Sequence, residues 1–242
     1  MAVYSEDFYA YQRGGSRRSA EVVLAIVLDL LKPASIIDVG CGVGTWLAVA
    51  RGLGVRSLLG LEGEWVRYVA KDVDELDITF CDLEAPLKVP HRFDLALCME
   101  VAEHLTEGRA DSFVRDLCAM SDVILFGAAV PGQGGCDHIN EQWQSYWSER
   151  FALLGYRPYD VVRPKVWTDP RVEHWYRQNS LLYVNDAVKH LVNGYPECTM
   201  ISMMHPETYD FHHPYGLRRL LREFPYALKR SALNRLNPKA AR

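Results

Sequence analysis

The 242-residue sequence predicts a doubly wound α/β domain with a mostly parallel sheet. Three observations predict it. From Ser35 onward, short β-branched or apolar runs alternate with longer stretches of helical period, the pattern of βαβ units. A glycine-rich turn, Gly40-Cys41-Gly42-Val43-Gly44, stands directly between the first such run and a helical segment. With 49% hydrophobic, 11% aromatic and 24% charged residues, the chain has the material for one large core.

In chain order, residues 1–17 come first, with Tyr4, Phe8, Tyr9 and Tyr11 followed by Arg13-Gly14-Gly15-Ser16-Arg17. This mixture is too aromatic for a disordered tail and too glycine-rich for a helix throughout, and is read as a lid. Ser19 or Ser16 then caps a helix through Leu31, with Val22, Val23, Ile26, Val27 and Leu30 at helical spacing and Pro33 ending it. Seven strands follow, at Ile36–Asp38, Ser57–Gly60, Ile78–Phe80, Phe93–Met99, Val123–Gly127, and a weaker pair near Tyr156–Val162 and Leu181–Val184. A helix over Trp46–Ala50 follows the first strand. The segment Gly127–Asn140 is a long glycine-rich connection at the carboxyl edge of the sheet, where loops carry function. After Asn185 the alternation fades, and residues 186–242 are read as an extension packed on a single domain spanning 1–242. Its end, Tyr215–Arg242, holds eight basic residues and one acidic, with Leu217, Leu220, Leu221 and Phe224 spaced for an amphipathic helix.

Charge and patterning exclude several function classes. Lys+Arg number 27 against 31 Asp+Glu, a net charge of −4, so the surface as a whole does not attract nucleic acid or anionic lipid. The longest apolar run, Val22–Leu28, is closed by Asp29 and falls far short of the roughly 20 residues of a membrane span. Met1–Asp7 shows no basic segment leading an apolar one, so no secretory signal is expected and the location is read as cytoplasmic. Six scattered cysteines without a Cys-x-x-Cys pair argue against disulfides or a zinc knuckle and for small buried apolar residues. His174, His190, His205, His212 and His213 show no metal-ligand spacing, and no metal is expected.

The sharpest motif is Asp38-Val39-Gly40-Cys41-Gly42-Val43-Gly44-Thr45. Its glycines remove Cβ atoms where the backbone turns and approaches a ligand, while the next helix presents unpaired N–H groups. A dinucleotide fingerprint, Gly-x-Gly-x-x-Gly, would need its third glycine one position later. The motif resembles that of class I methyltransferases, which bind S-adenosylmethionine (SAM). Four segments carry the resemblance further: AEVVLAIVLDLLKPASIIDVGCGVGTWLAVA, DLALCMEVAEHL, AAVPGQGGCDHINEQWQSYW and WYRQN. It implies a Rossmann-like fold and a cofactor site lined by Asp38, Gly40, Cys41, Gly42, Gly44 and Trp46. It also implies that Glu62, 22 residues after Gly40, takes the ribose hydroxyls, where many relatives have Asp. Asp82 and Leu83 then hold adenine, and Glu100, at the end of its strand, meets the methionine part; Glu103-His104 open the next helix.

For the chemistry, the loop Pro131–Trp143 brings His138, Asn140 and Glu141 to the mouth of the sheet. His138 is either a general base or a loop brace, and Asn140 orients substrate or cofactor. Tyr9, Tyr11, Trp46, Trp143, Tyr146, Trp147, Trp175 and Tyr176 are aimed at the same mouth, where ring faces suit a sulfonium. Tyr11 and Tyr176 are the ring candidates for the reacting centre, while Tyr146 and Trp147 fit a packed helix face. Arg177 or Gln178 either grips a substrate group or packs. The expected activity is methyl transfer from SAM to oxygen or nitrogen of a small molecule. The sequence is also similar to azetidine-2-carboxylate synthases, which implies an alternative in which SAM is the only substrate and closes its own ring, releasing methylthioadenosine. A non-catalytic SAM-binding module is the third reading.

Overall fold

A computed structural model describes residues 6–67 and 77–212, with side chains at 14–67 and 77–209. The chain divides into two compact units, Met1–His205 and Pro206–Arg242. The first opens with helix α1 (Glu6–Leu31), then strand β1 (Ser35–Val39), helix α2 (Thr45–Gly52), β2 (Ser57–Glu62), β3 (Ile78–Phe80) and β4 (Leu95–Met99). It continues through α3 (Ala110–Met120), β5 (Val123–Gly127), α4 (Gln144–Leu153), β6 (Tyr156–Tyr159), α5 (Arg163–Val166), α6 (His174–Asn179) and β7 (Leu181–Asn185). In the second unit a short helix, α7 (Pro206–His212), is described. The basic amphipathic segment around Leu217–Phe224 lies outside the described residues.

The seven strands stand in the order β3-β2-β1-β4-β5-β7-β6. All run in one direction except β7, which is antiparallel to its two neighbours, β5 and β6. This is the doubly wound, mostly parallel sheet that the alternation of elements predicts. Strand pleating explains how it is covered. Ile36, Leu95, Leu97 and Leu125 pack with α1 and α2 on one face, whereas Ile37, Ala96, Cys98, Ile124 and Phe126 pack with α3 and α4 on the other. Both faces are buried, so β4 and β5 read as continuous apolar runs rather than as alternation. The strand order reverses between β1 and β4, the place at whose carboxyl edge folds of this kind bind ligands.

Several expectations are corrected. The first helix begins at Glu6, so it runs straight through Gly14-Gly15, and the backbone from Glu6 to Arg17 is helical. Neither serine caps it. Ser19 Oγ donates back to the Gly15 carbonyl at 2.8 Å and accepts from the Glu173 amide at 2.9 Å. Gly15 sits mid-helix facing Glu173, where an added Cβ would meet Oε1 at 2.4 Å and push the end of that flexible side chain aside. The side chain of Tyr11, like those of Tyr4, Phe8 and Tyr9, lies outside the described residues. Glu103 and His104 form a 3₁₀ turn, Ala102–His104, and the helix proper starts only at Ala110. Residues 186–205 belong to the first unit rather than to an extension: the Cys198 amide donates to Pro158 at 2.7 Å and the His205 amide to Gln178 Oε1 at 2.7 Å. Of the cysteines only Cys41 and Cys98 are buried; Cys136 is exposed and all six are free thiols.

Candidate cofactor and acceptor site

Gly40, Gly42 and Gly44 all take positive φ, at 77°, 55° and 85°, so the turn after β1 has the left-handed backbone that glycine permits. Gly40 is also the tightest point, because a Cβ there would stand 2.3 Å from Val101 Cγ2. Gly44 precedes the first turn of α2, whose amides face the carboxyl edge of the sheet. The Cys41 side chain is buried among the core residues under the turn, so its share in a ligand site is its backbone.

Glu62 ends β2 and is nearly fully buried. Its carboxylate accepts from the Gly42 amide at 2.6 Å and from the Gly63 amide at 2.7 Å. The residue assigned to ribose is therefore locked to the glycine turn, with carboxylate lone pairs still to offer. Burial holds its pKa above the usual carboxylate range against the pull of those two amides. Asp38, beside it, is pushed up to about 8, first by burial and then by the charge on Glu62.

That shift has a measurable sign. Between the ordinary Asp value of 3.8 and about 8 the folded protein keeps a proton on Asp38 that the unfolded chain has lost. Unfolding then releases a proton, so stability falls as pH rises through that window. Thermal unfolding at a series of pH values from 5 to ~8 is expected to show this decline in the ligand-free protein, and Asp38→Asn to flatten it. An unchanged slope in the variant would remove Asp38 as its source.

Asp82 and Leu83 lie just past β3. Asp82 is exposed, and its Oδ1 accepts from the Glu84 amide at 2.9 Å. The Leu83 side chain is buried, and its carbonyl accepts from Arg109 Nε at 3.0 Å. Arg109, which sequence reasoning passed over, also donates to the Ala85 carbonyl at 2.9 Å and pairs with Asp116. It staples the turn after β3 to the start of α3.

Glu100 follows β4 with a left-handed φ of 58°. Its two oxygens accept from Gln133 Nε2 at 2.6 Å and Asn179 Nδ2 at 2.9 Å. Burial raises its pKa and these two donors lower it, with a net upward shift. Behind them Gln178 Nε2 donates to Gln133 Oε1 at 3.1 Å and to Asn179 Oδ1 at 2.9 Å. Gln144 Nε2 donates to the Met203 carbonyl at 2.9 Å. Gln178 is fully buried and bonded within this amide network, which favours the packing alternative of the two readings for it. Arg177 is likewise buried, with Nη1 donating to the Trp167 carbonyl at 3.4 Å. Gln133 and Asn179 escaped the sequence reading because nothing in the spacing of amides from residue 133 to 179 marks them as neighbours.

The glycine-rich loop is organised by Glu141. Its carboxylate accepts from the Gly132 and Gly134 amides at 2.8 and 2.7 Å and meets His138 Nδ1 at 3.0 Å. Burial raises its pKa, but His138 and the two amides outweigh that and hold it low. The Ile139 and Asn140 amides both donate to the Glu103 carbonyl, at 2.9 and 3.0 Å, clamping the loop onto the 102–104 turn. His138 is thereby held against His104, ring centroids 4.8 Å apart, with Nε2 3.9 Å from Glu103 Oε1. Asn140 is buried, its Oδ1 accepts from Gln142 Nε2 at 3.0 Å, and its Nδ2 has no hydrogen-bond partner. Glu103 is completely buried, its carboxylate lying against backbone at Glu103 and Ala129 with no side-chain hydrogen bond. Burial, then the charge of Glu100, drives its pKa well up, while burial and His138 bring His104 down to about 4.

The aromatics divide between two places. Trp46 and Tyr176 meet edge to face at 5.2 Å, with Trp175 beside Tyr176, and Ser16 Oγ accepts from Trp46 Nε1 at 3.1 Å and lies 3.5 Å from the Tyr176 hydroxyl. Both rings are nearly fully buried, and burial pushes the Tyr176 phenol up to about 12. Trp147 instead packs on Phe126 across the opposite face of the sheet, with Tyr146 against it, and Trp143 is exposed. The single aromatic wall expected from the sequence is thus cut down to the Ser16, Trp46, Trp175 and Tyr176 group among the described residues.

Residues 9–121 match the family model described as a methyltransferase domain. No curated protein matches the sequence. Among solved structures, the fold resembles the sugar N-methyltransferase KedS8 from Streptoalloteichus sp., at 15% identity and a TM-score of 0.56, over 76% of this chain and 96% of that one. It also resembles SAM-bound CalS10, an amino pentose methyltransferase from Micromonospora echinaspora, at 14% identity and a TM-score of 0.54, over 76% and 98%. DesVI from Streptomyces venezuelae gives 14% identity and a TM-score of 0.53 over 76% and 99%. The Rossmann-like class I methyltransferase fold implied by the glycine motif is the fold of this chain.

Proposed function

We propose that this chain, which has the class I methyltransferase fold and matches the methyltransferase-domain model over residues 9–121, binds SAM and transfers its methyl group to oxygen or nitrogen of a small molecule. The observation that carries the proposal is Glu62, a buried carboxylate tied to Gly42 and Gly63 beside three left-handed glycines at the carboxyl edge of the sheet. A nucleoside fits that arrangement: the Cβ-free turn leaves room for its close approach, and the fixed carboxylate offers acceptors to vicinal hydroxyls.

Bound there, SAM supplies an electrophilic methyl on a sulfonium. The residues of the chain do the rest. Glu62 holds the ribose hydroxyls, Asp82 and the backbone at Leu83 read adenine, and Glu100, set by Gln133 and Asn179, faces the amino-acid part. Trp46 and Tyr176 give a water-poor ring surface of the kind a cation favours by about 0.5–2 kcal/mol. Asn140, with its free Nδ2, orients the acceptor, and His138 braces the loop that carries it. Positioning rather than proton transfer supplies the rate.

The test is to incubate the pure protein with SAM, alone and with a small-molecule extract, and identify products by mass spectrometry. S-adenosylhomocysteine with an acceptor heavier by one methyl is expected only in the second arm. Methylthioadenosine and azetidine-2-carboxylate from SAM alone would replace methyl transfer by ring closure; binding without turnover would leave a SAM-binding module. Asn140→Ala is expected to lower turnover about 10- to 100-fold while leaving SAM affinity nearly unchanged, as loss of an orienting group does. An equal loss in affinity would move Asn140 into the cofactor site.

A further inference from the structure

Glu103, His104 and His138 each turn a ligand-type atom into one small space, all within 4.8 Å of one another. We infer that these three residues form a binding site for a first-row divalent metal ion. The sequence hides it, because Glu103 and His104 are adjacent and the second histidine arrives 34 positions later on a glycine-rich loop.

Three independent features point to a cation. Glu103 is completely buried, and its carboxylate has only backbone, at Glu103 and Ala129, against it and no side-chain hydrogen bond. A buried carboxylate with lone pairs left over gains from a cation beside it. Second, His138 is oriented from behind. His138 Nδ1 meets the Glu141 carboxylate at 3.0 Å, which leaves Nε2 as the nitrogen turned to Glu103, at 3.9 Å. A carboxylate behind an imidazole is the usual support of metal-bound histidine, fixing tautomer and ring plane. Third, the backbone fixes the approach, since the Ile139 and Asn140 amides converge on the Glu103 carbonyl and set His138 over the 102–104 turn.

The donor set also narrows the ion. Two imidazoles and one carboxylate suit manganese, iron, cobalt, nickel or zinc rather than calcium or magnesium, and leave coordination positions open. Ligand atoms about 2.1 Å from a shared ion lie at most roughly 4.2 Å apart, so closing the group takes side-chain shifts below about 1 Å. Among the described residues no other group of this kind occurs.

The test needs neither SAM nor turnover, so its failure is separate from failure of the methyl-transfer reading. Protein stripped with a chelator is titrated with Co²⁺. A single saturable equivalent with visible ligand-field bands is expected, and X-ray absorption at the cobalt edge should carry the multiple scattering of imidazole. His138→Ala and Glu103→Gln should each abolish the bands, Glu141→Gln should weaken binding about 10- to 100-fold through its hold on His138, and His190→Ala should change nothing. Absence of saturable binding overturns the inference, as does an oxygen-only absorption signature in the unaltered protein, which stands even if a variant fails to fold. Folded variants that bind as the parent does overturn it equally.

Discussion

Glu62→Ala loses SAM binding by at least about 100-fold, the scale expected when a site built to accept hydroxyls has its acceptor removed. Two effects combine. The ribose loses both acceptor oxygens, and the Gly42 and Gly63 amides lose the carboxylate that accepted from them at 2.6 and 2.7 Å. The turn therefore loosens as the ligand contact disappears. Glu62→Gln separates the two, because the amide keeps the volume but offers one oxygen where the carboxylate offered two. It should fall between the parent and the Ala variant. Calorimetry with SAM and with S-adenosylhomocysteine reads both, and an affinity for either within a few-fold of the parent in the Ala variant would end the assignment of Glu62 to the ribose.

Gly40→Ala carries the largest cost in stability. The new Cβ would stand 2.3 and 2.7 Å from the two methyls of Val101 while the backbone is held at a φ of 77°. Left-handed strain of roughly 1–2 kcal/mol and overpacking of about 1–3 kcal/mol together predict a loss of some 2–5 kcal/mol. The two parts are separable. Adding Val101→Ala removes the methyls that obstruct the Cβ but leaves φ where it is, so the double variant should recover only the packing part. Chemical denaturation of all four proteins in the cycle gives the coupling; strictly additive losses would mean that Val101 is not what the glycine accommodates.

How much of this was legible in the sequence follows from the range of the interactions concerned. Strands β3 and β5 fall on the expected residues and the other five overlap their predicted segments, because β-branched runs between helical stretches are a local signal. The glycine turn and Glu62 were legible because residue type and spacing encode them together. Residues from 6 to 17 were misread because Gly14 and Gly15 are poor helix formers in isolation, while the helix they belong to is carried by the packing of Ala20, Val23, Leu24 and Val27 farther along. Ser16 and Ser19 resembled caps, yet each serves as a cross-link, to Trp46 and to the Glu173 amide. The aromatic residues split because a sheet has two faces, and the one-dimensional list of rings did not say which face each helix covers. The group of Glu103, His104 and His138 depends on a loop folding back across the end of β4, and no periodicity reports that.

The anchor beneath the glycine-rich loop is made of carboxamides: Gln133, Gln178, Asn179 and Gln144. Carboxamides neither gain nor lose protons in ordinary water. Acid liberated at the carboxyl edge of the sheet therefore leaves the bonds among these four amides unchanged, whereas the bonds that Gln133, Asn179 and the loop amides make to Glu100 and Glu141 answer to it.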